Sequence, residues 1–344
     1  MINILIADDS TLVRTLLSDI LEERDDLSVI GCAGNGREAV EMTGALRPDL
    51  VIMDLMMPEM GGLEAIEEIM AGAPTPVLVL SGAVEEAEVD RAFNAIKRGA
   101  LDVMEKPAAD TPAALREFGA RLVDKVRLLS GIRVIRHPRR RVRPQPAQEA
   151  IAATGGPRPN ILAIGASTGG PKAVMSLLKG LPADFPATVF VVQHIACGFA
   201  EGFVSWLDRE CAIPVRLAAD GWKYGPGEAV VAPDGFHMTV ADGRVRLVEA
   251  PPVNCCRPSI DVFFDSLAET PCEQVVSLLL SGMGRDGARG LLRIKERGGT
   301  TLVQDELSCA VFGMPKAAIG LKAVSQVLPL DRMPAAISHL FAGR

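Results

Sequence analysis

The sequence predicts two α/β domains, each built on a mainly parallel sheet, joined by a charged linker. Three observations predict this. Short apolar runs alternate with amphipathic stretches through the first 124 residues. A segment rich in arginine and proline then breaks that rhythm over about residues 131–159. From Asn160 the alternation resumes, with a glycine-lined serine turn directly behind its first apolar run. A chain of 344 residues is long enough for two domains, each with its own core.

In the first domain the predicted strands are Ile2–Ala7, Ser28–Cys32, Leu50–Met53, Val77–Leu80 and Leu101–Met104. The stretches between them repeat apolar residues at helical spacing, as in Leu12, Val13, Leu16, Leu17, Ile20 and Leu21. Five βα units imply a doubly wound, flavodoxin-like sheet of five parallel strands. In the second domain we expect a strand at Ile161–Ile164, a helix from Pro171 to Lys179, a strand at Thr188–Gln193 and a helix through Phe203–Leu207. A hairpin-like stretch covers Ala229–Val240 and Arg244–Val248, with Asp242-Gly243 as its turn signal. Helix returns at Ile260–Ala268 and strand at Val275–Leu280.

Charge marks the same boundaries. Residues 1–124 carry 10 Lys and Arg against 24 Asp and Glu, residues 125–158 carry 9 against 1, and residues 159–344 carry 17 against 18. We therefore divide the chain into a domain at 1–124, a linker at 125–158 and a domain at 159–344. The linker reads as an extended, self-repelling hinge, or else as a basic segment that docks onto an acidic surface such as the first domain.

Composition also excludes several functions. Aromatic residues make up 4% of the chain, with one Tyr and two Trp, which argues against base-stacking platforms and hence against nucleic acid as a partner. No uncharged apolar run reaches the ~18 residues of a membrane span, so direct membrane insertion is not expected. The first residues contain no basic leader or cleavage site, and a cytoplasmic protein is expected. None of the seven cysteines forms a C-x-x-C pair, which reads as reduced thiols.

Two sets of residues carry chemistry. In the first domain Asp8 and Asp9 follow the first strand, Asp54 ends the third, Ser81 the fourth, and Lys106 the fifth. A doubly wound parallel sheet gathers all of them at its carboxyl edge, where such folds bind ligands. Three carboxylates repel one another unless a hard cation joins them, and Mg²⁺ suits oxygen donors. A lysine opposite can neutralise phosphoryl oxygens, and a serine hydroxyl can bond to one. In the second domain Gly165-Ala166-Ser167-Thr168-Gly169 fits the strand–turn–helix pattern that exposes a serine nucleophile. Such a serine needs a histidine base held by a carboxylate. His194 follows the Thr188–Gln193 strand, and Asp286 follows the Val275–Leu280 strand within a glycine-rich turn. Ser167–Asp234–His237 is the rival set in the α/β-hydrolase order, and it requires the hairpin to swing over the turn. Cys197, three residues after His194, is a competing nucleophile without a glycine elbow. Candidate oxyanion donors are the Met283 amide and an amide after Ser167.

The first 124 residues resemble response-regulator receiver domains. The resemblance implies that Asp54 accepts a phosphoryl group from a histidine kinase. It also implies that Asp8 and Asp9, with Asp54 and the Met56 backbone carbonyl, hold Mg²⁺, and that Ser81 and Lys106 sense the phosphoryl group. It implies a cis peptide before Pro107. Val103 stands where receivers often carry an aromatic switch residue. The segments 164–171, 192–195, 232–237, 257–261, 281–287, 304–306 and 312–318 resemble the catalytic domain of chemotaxis protein-glutamate methylesterases. That resemblance implies a phosphorylation-activated enzyme that hydrolyses glutamate γ-methyl esters on chemoreceptor helices and deamidates glutamines there. Ser167 is then nucleophile, His194 base and Asp286 its orienter, with the Met283 amide in the oxyanion hole and no cofactor in the esterase step. It leaves His237 as a structural histidine. Arg257, Ser259 and Asp261 are left either to a substrate groove or to a helix cap.

Overall fold

The apolar runs of the first domain form strands because both faces of a parallel sheet are covered, and only continuous Val, Ile and Leu suit that burial. The computed structural model describes residues 1–82, 86–107, 111–132, 134 and 159–342. Clustering of contacts separates two compact units, Met1–Arg143 and Pro144–Arg344.

In the first unit β1 (Ile2–Ala7), β2 (Leu27–Ala33), β3 (Leu50–Asp54), β4 (Val77–Ser81) and β5 (Asp102–Glu105) form one sheet in the order β2-β1-β3-β4-β5. Every pairing is parallel. The central strand β3 is buried from end to end. Ile4, Ile6, Ile52, Leu78 and Leu80 pack with Leu122 and Val126 of the helix Pro112–Ser130. That helix runs past the boundary drawn at residue 124. Lys125 pairs with Asp102, and Arg127 with Asp26 at 2.7 Å, so part of the positive charge assigned to a linker serves the acidic receiver-like unit. Most of the Arg/Pro segment lies outside the described residues.

Among its described residues the second unit has nine strands. These are β6 (Ile161–Ala166), β7 (Thr188–Gln193), β8 (Val215–Leu217), β9 (Ala229–Val231), β10 (His237–Ala241), β11 (Arg244–Val248), β12 (Val275–Leu279), β13 (Thr300–Gln304) and β14 (Gln326–Leu328). Seven make a parallel sheet in the order β14-β13-β12-β6-β7-β9-β8. From β6 the chain builds outward through β7 to β9 and β8, then returns to place β12 on the other side of β6. The strand order reverses there, and that crevice is where open α/β sheets bind ligands.

The hairpin differs from its expectation. Ala229–Val231 does not belong to it: this run pairs in parallel with β7 and β8 and is fully buried. Only β10 and β11 pair antiparallel, closed by Asp242 and Gly243 at φ 50° and 68°. Both turn positions thus take the left-handed conformation that a two-residue hairpin turn requires. The alternation of β10 was legible, whereas the sheet membership of a three-residue apolar run depends on its long-range partners. Among the described residues the one cis peptide joins Arg257 to Pro258, and the one implied before Pro107 is not found. Among the described residues no helix is long and apolar enough to cross a membrane.

Gly62 opens the helix Gly62–Gly72 against the end of β3, and a Cβ there would lie 2.1 Å from the Asp54 carbonyl oxygen. We expect Gly62→Ala to destabilise the first unit by about 1–3 kcal/mol through overpacking. Gly44→Ala, whose Cβ meets nothing within 4 Å, should stabilise it by up to about 1 kcal/mol. Urea unfolding of the two variants checks both signs.

Candidate functional site

Two sites occupy the carboxyl edges of the two sheets. In the first unit β1 delivers Asp8 and Asp9, β3 ends in Asp54, and β5 leads into Lys106. Asp8 and Asp54 are buried while Asp9 is exposed, and their carboxylate oxygens lie within 4.8 Å of one another. Lys106 Nζ bridges Asp8 Oδ2 at 2.9 Å and Asp54 Oδ1 at 3.0 Å. Burial pushes the Asp54 carboxyl above its ordinary range, and the opposing pull of Lys106 does not cancel it. Burial alone would lower the Lys106 pKa, but its two carboxylate partners raise it. An all-oxygen donor set with one exposed member suits a hard divalent cation that keeps part of its water shell. An open cleft of about 130 Å³ beside Asp54 is lined by Met56, Ser81, Gly82, Glu88, Arg91 and Lys106, among others. The Ser81 hydroxyl donates to the Gly82 carbonyl at 3.2 Å. Val103 sits within β5 opposite Val79 and is not among the cleft's lining residues.

In the second unit three strand ends meet. The register Ala166↔Gln193 makes Ser167 and His194 neighbours across the β6–β7 edge, and the His194 amide donates to the Ala166 carbonyl at 2.9 Å. The Ser167 amide donates to the Ser281 carbonyl at 3.0 Å, which ties the serine turn to the loop after β12. Gly169 takes φ 73° at the start of the helix Gly170–Lys179, and a Cβ there would lie 2.5 Å from that of Ala310. A glycine is required on both counts. Gly282 is constrained by space alone, since its Cβ would come within 2.8 Å of Ser167 Cβ. This brings the Met283 amide close to the serine, and among the described residues no group accepts from that amide.

Asp286 is 3% exposed and accepts five hydrogen bonds. Oδ1 takes them from Asn254 Nδ2 at 2.7 Å, Ser259 Oγ at 2.8 Å and the Asp261 amide at 3.2 Å. Oδ2 takes them from the Ile260 amide at 2.7 Å and His194 Nε2 at 2.9 Å. The two amides open the helix Ile260–Ala268, whose N-terminus favours a carboxylate. Burial pushes the Asp286 carboxyl up, but His194, Asn254 and the Ile260 amide overcome it and bring the pKa down to about 2. An ionised carboxylate only accepts, so His194 Nε2 carries the proton in this pair. Burial would lower the His194 pKa, yet Asp286 and Cys256 raise it to about 9. Nδ1 is left as the basic nitrogen, and Cys256 Sγ lies 3.6 Å from it. Among the described residues no hydrogen bond joins the Ser167 hydroxyl to His194. The Ser167 and His194 side chains are neighbours without a hydrogen bond between them.

The rival set does not assemble. His237 is 1% exposed; its Nε2 bonds the Pro251 carbonyl at 3.0 Å and its Nδ1 accepts the Ser259 amide at 3.1 Å. Asp234 accepts from the Gly198 amide at 2.5 Å. Of the residues left between groove and cap, Ser259 is the helix cap and also donates to Asp286. Asp261 accepts from Asn254 and the Gly290 amide. Sequence reasoning missed Asn254, Gln193 and Ser281. Gln193 Nε2 donates to the carbonyls of Ser167 and His194, both at 2.8 Å, and Ser281 Oγ donates to the Thr168 carbonyl at 2.7 Å. A polar residue at the end of an otherwise apolar buried strand was the available signal for Gln193.

Residues 162–337 match the family model for CheB methylesterase, and residues 4–116 match that for the response regulator receiver domain. The chain is 45% identical to protein-glutamate methylesterase/protein-glutamine glutaminase 2 of Anaeromyxobacter dehalogenans (strain 2CP-C), over 98% of this chain and 97% of that protein. It is 42% identical to the numbered-4 protein of the same description from Geobacter metallireducens, over 99% of each. Among solved structures, the Thermotoga maritima CheB methylesterase catalytic domain is 35% identical with a TM-score of 0.52, covering 53% of this chain and 98% of that one.

The His194–Asp286 pair also sets a pH window for stability. The raised His194 pKa contributes stability in full below its ordinary 6.5, and that contribution is lost as pH rises through about 9. The lowered Asp286 pKa contributes above 3.8 and is lost as pH falls through about 2. We expect the stability gap between the native chain and His194→Gln to be larger at pH 6 than at pH 10, measured by urea unfolding of the second unit within the full chain.

Proposed function

The chain belongs to the CheB methylesterase family, with a receiver domain over its N-terminal third, and on that premise we propose that it hydrolyses glutamate γ-methyl esters on chemoreceptors under phosphorylation control. The observation that carries the reading is the His194–Asp286 pair set beside the Ser167 turn at the strand-order reversal. Ser167 Oγ attacks the ester carbonyl carbon while Nδ1 of His194, in its neutral imidazole form, takes its proton. The Met283 amide donates to the developing oxyanion, an interaction typically worth about 2.7–4 kcal/mol. The tetrahedral intermediate collapses, the C–O bond to the methoxy group breaks, and His194 returns the proton so that methanol leaves. Water then attacks the acyl-serine, with His194 Nδ1 again the base, and the carboxylate product departs as Ser167 regains its proton. A glutamine side chain enters the same sequence with ammonia as the leaving group, in keeping with the second half of the relatives' description. The esterase step uses no cofactor.

In the receiver, Asp54 is the phosphoryl acceptor and a histidine kinase the donor. Asp8, Asp9, Asp54 and the Met56 carbonyl would hold Mg²⁺, which supplies positive charge to a phosphoryl group in transfer. Lys106 leaves its bridge to Asp8 and Asp54 to pair with the phosphoryl oxygens, and Ser81 donates to another. Val103 replaces the aromatic rotamer switch, so the response passes through Ser81 and Lys106. We assign the receiver to residues 1–124 together with the remainder of its last helix to Ser130, a linker to the residues between that helix and 159, and the catalytic domain to 159–344, in a cytoplasmic protein.

Methanol release from methylated receptor tests both halves. Ser167→Ala should lose at least about a thousandfold in rate. Acetyl phosphate with Mg²⁺ should accelerate the native chain and leave Asp54→Ala unchanged. An active Ser167→Ala chain contradicts the chemistry, and a native rate indifferent to acetyl phosphate contradicts the control.

A further inference from the structure

One thiol in the second unit has no part in the chemistry above and yet faces its base. Val253 and Cys256 exchange backbone hydrogen bonds at 3.1 and 2.9 Å across a tight turn. The two central residues, Asn254 and Cys255, take φ 53° and 62°, as a primed turn requires. Asn254 Nδ2 donates to both Asp261 and Asp286, which anchors the turn over the buried carboxylates. Backbone geometry therefore holds Cys256 Sγ in place, 3.6 Å from His194 Nδ1.

Zinc bound by one histidine nitrogen and one thiolate has bonds of about 2.1 and 2.3 Å, which puts the two donor atoms roughly 3.5 Å apart at a tetrahedral angle. The two side chains already stand at that separation. The other half of a good metal-binding histidine is present too. His194 donates its far ring nitrogen to Asp286, and a carboxylate at that position orients the ring and raises its basicity as a ligand. The His194 side chain is 14% exposed and Cys256 is half-buried, so an ion reaches both from solvent. Asp286 is saturated by five donors and takes no direct share. We infer that His194 Nδ1 and Cys256 Sγ form a binding site for a thiophilic divalent cation such as Zn²⁺, and that occupancy silences the esterase.

On binding, the Cys256 S–H proton and, below the raised His194 pKa, the proton on His194 Nδ1 pass to solvent, an S–metal bond and an N–metal bond form, and water fills the remaining positions. No electron is transferred. The lone pair that would accept the Ser167 proton is then committed to the metal. With two protein ligands the site is weaker than a four-ligand structural zinc site, so the inhibition is reversible by chelation. The site differs in chemistry from the receiver pocket, where the three aspartates offer only hard oxygen donors.

Silencing rests on the proposed esterase reading, whereas metal binding does not, and the test separates them. Titrate Co²⁺ into the full-length chain in excess Mg²⁺ and record the thiolate-to-cobalt charge-transfer absorbance. Alongside it, measure Zn²⁺ inhibition of methanol release with and without EDTA. The native and Cys255→Ser chains should show the band, and Cys256→Ser should lose it together with at least about tenfold in Zn²⁺ sensitivity. A Cys256→Ser chain that keeps both the band and the native sensitivity overturns the inference. If the Cys256-dependent band is present but the native chain releases no methanol, the site stands and the esterase reading fails instead. Should Cys256→Ser fold poorly, native chain alkylated at its thiols must lose the band, and retention of the band overturns the site.

Discussion

The second unit is organised around one buried carboxylate. Asp286 would be costly at 3% exposure without partners, and its five donors come from three separate parts of the chain. The helix Ile260–Ala268 supplies two amides and its capping serine, the turn at Val253–Cys256 supplies Asn254, and β7 supplies His194. Removing a donor leaves a buried acceptor short, which typically costs about 1–3 kcal/mol, so these segments are fixed in concert. Because Asp286 accepts a hydrogen bond from His194 Nε2, the imidazole turns Nδ1 toward the serine and thiol side. That is the reverse of the nitrogen assignment in the chymotrypsin arrangement, and it follows from where β7 ends relative to the loop after β12.

The receiver shows the same physics with a different outcome. Asp8 and Asp54 are buried at a strand edge as Asp286 is, but each accepts one backbone amide, from Ser10 at 2.9 Å and from Leu55 at 2.8 Å, and the two share one cation, Lys106 Nζ. A lysine ammonium on a flexible stem is exchangeable, whereas backbone amides at a helix start are not. One carboxylate site is therefore built to change its partners and the other to keep them.

Much of this was legible in the sequence, for identifiable reasons. Strand ends were readable because buried parallel strands are continuous apolar runs, and a residue just past such a run must lie at the sheet edge. Asp8, Asp54, Ser167, His194 and Asp286 were located that way. The Ser259 cap was legible from the pattern before Ile260. Four features were not. The short strands Val215–Leu217 and Gln326–Leu328 sit at sheet edges, and three residues carry no periodicity. Ala229–Val231 was joined to the wrong element because alternation continues across Pro233-Asp234-Gly235. Asn254 and Cys256 act through a turn whose partners lie far away in sequence, and local pattern does not contain that information. The Lys125 and Arg127 pairings were hidden for the same reason, and composition misassigned them to the linker.

The central claim is that Asp286 holds the Nε2 proton of His194 and presents Nδ1 as the base. Nitrogen-15 NMR of histidine-labelled full-length chain, with His194→Gln used for assignment, measures this directly. The account predicts a His194 ring protonated at Nε2, with that proton shifted far downfield by its bond to the carboxylate, and Nδ1 titrating above the ordinary imidazole range. A neutral His194 carrying its proton on Nδ1 would contradict it.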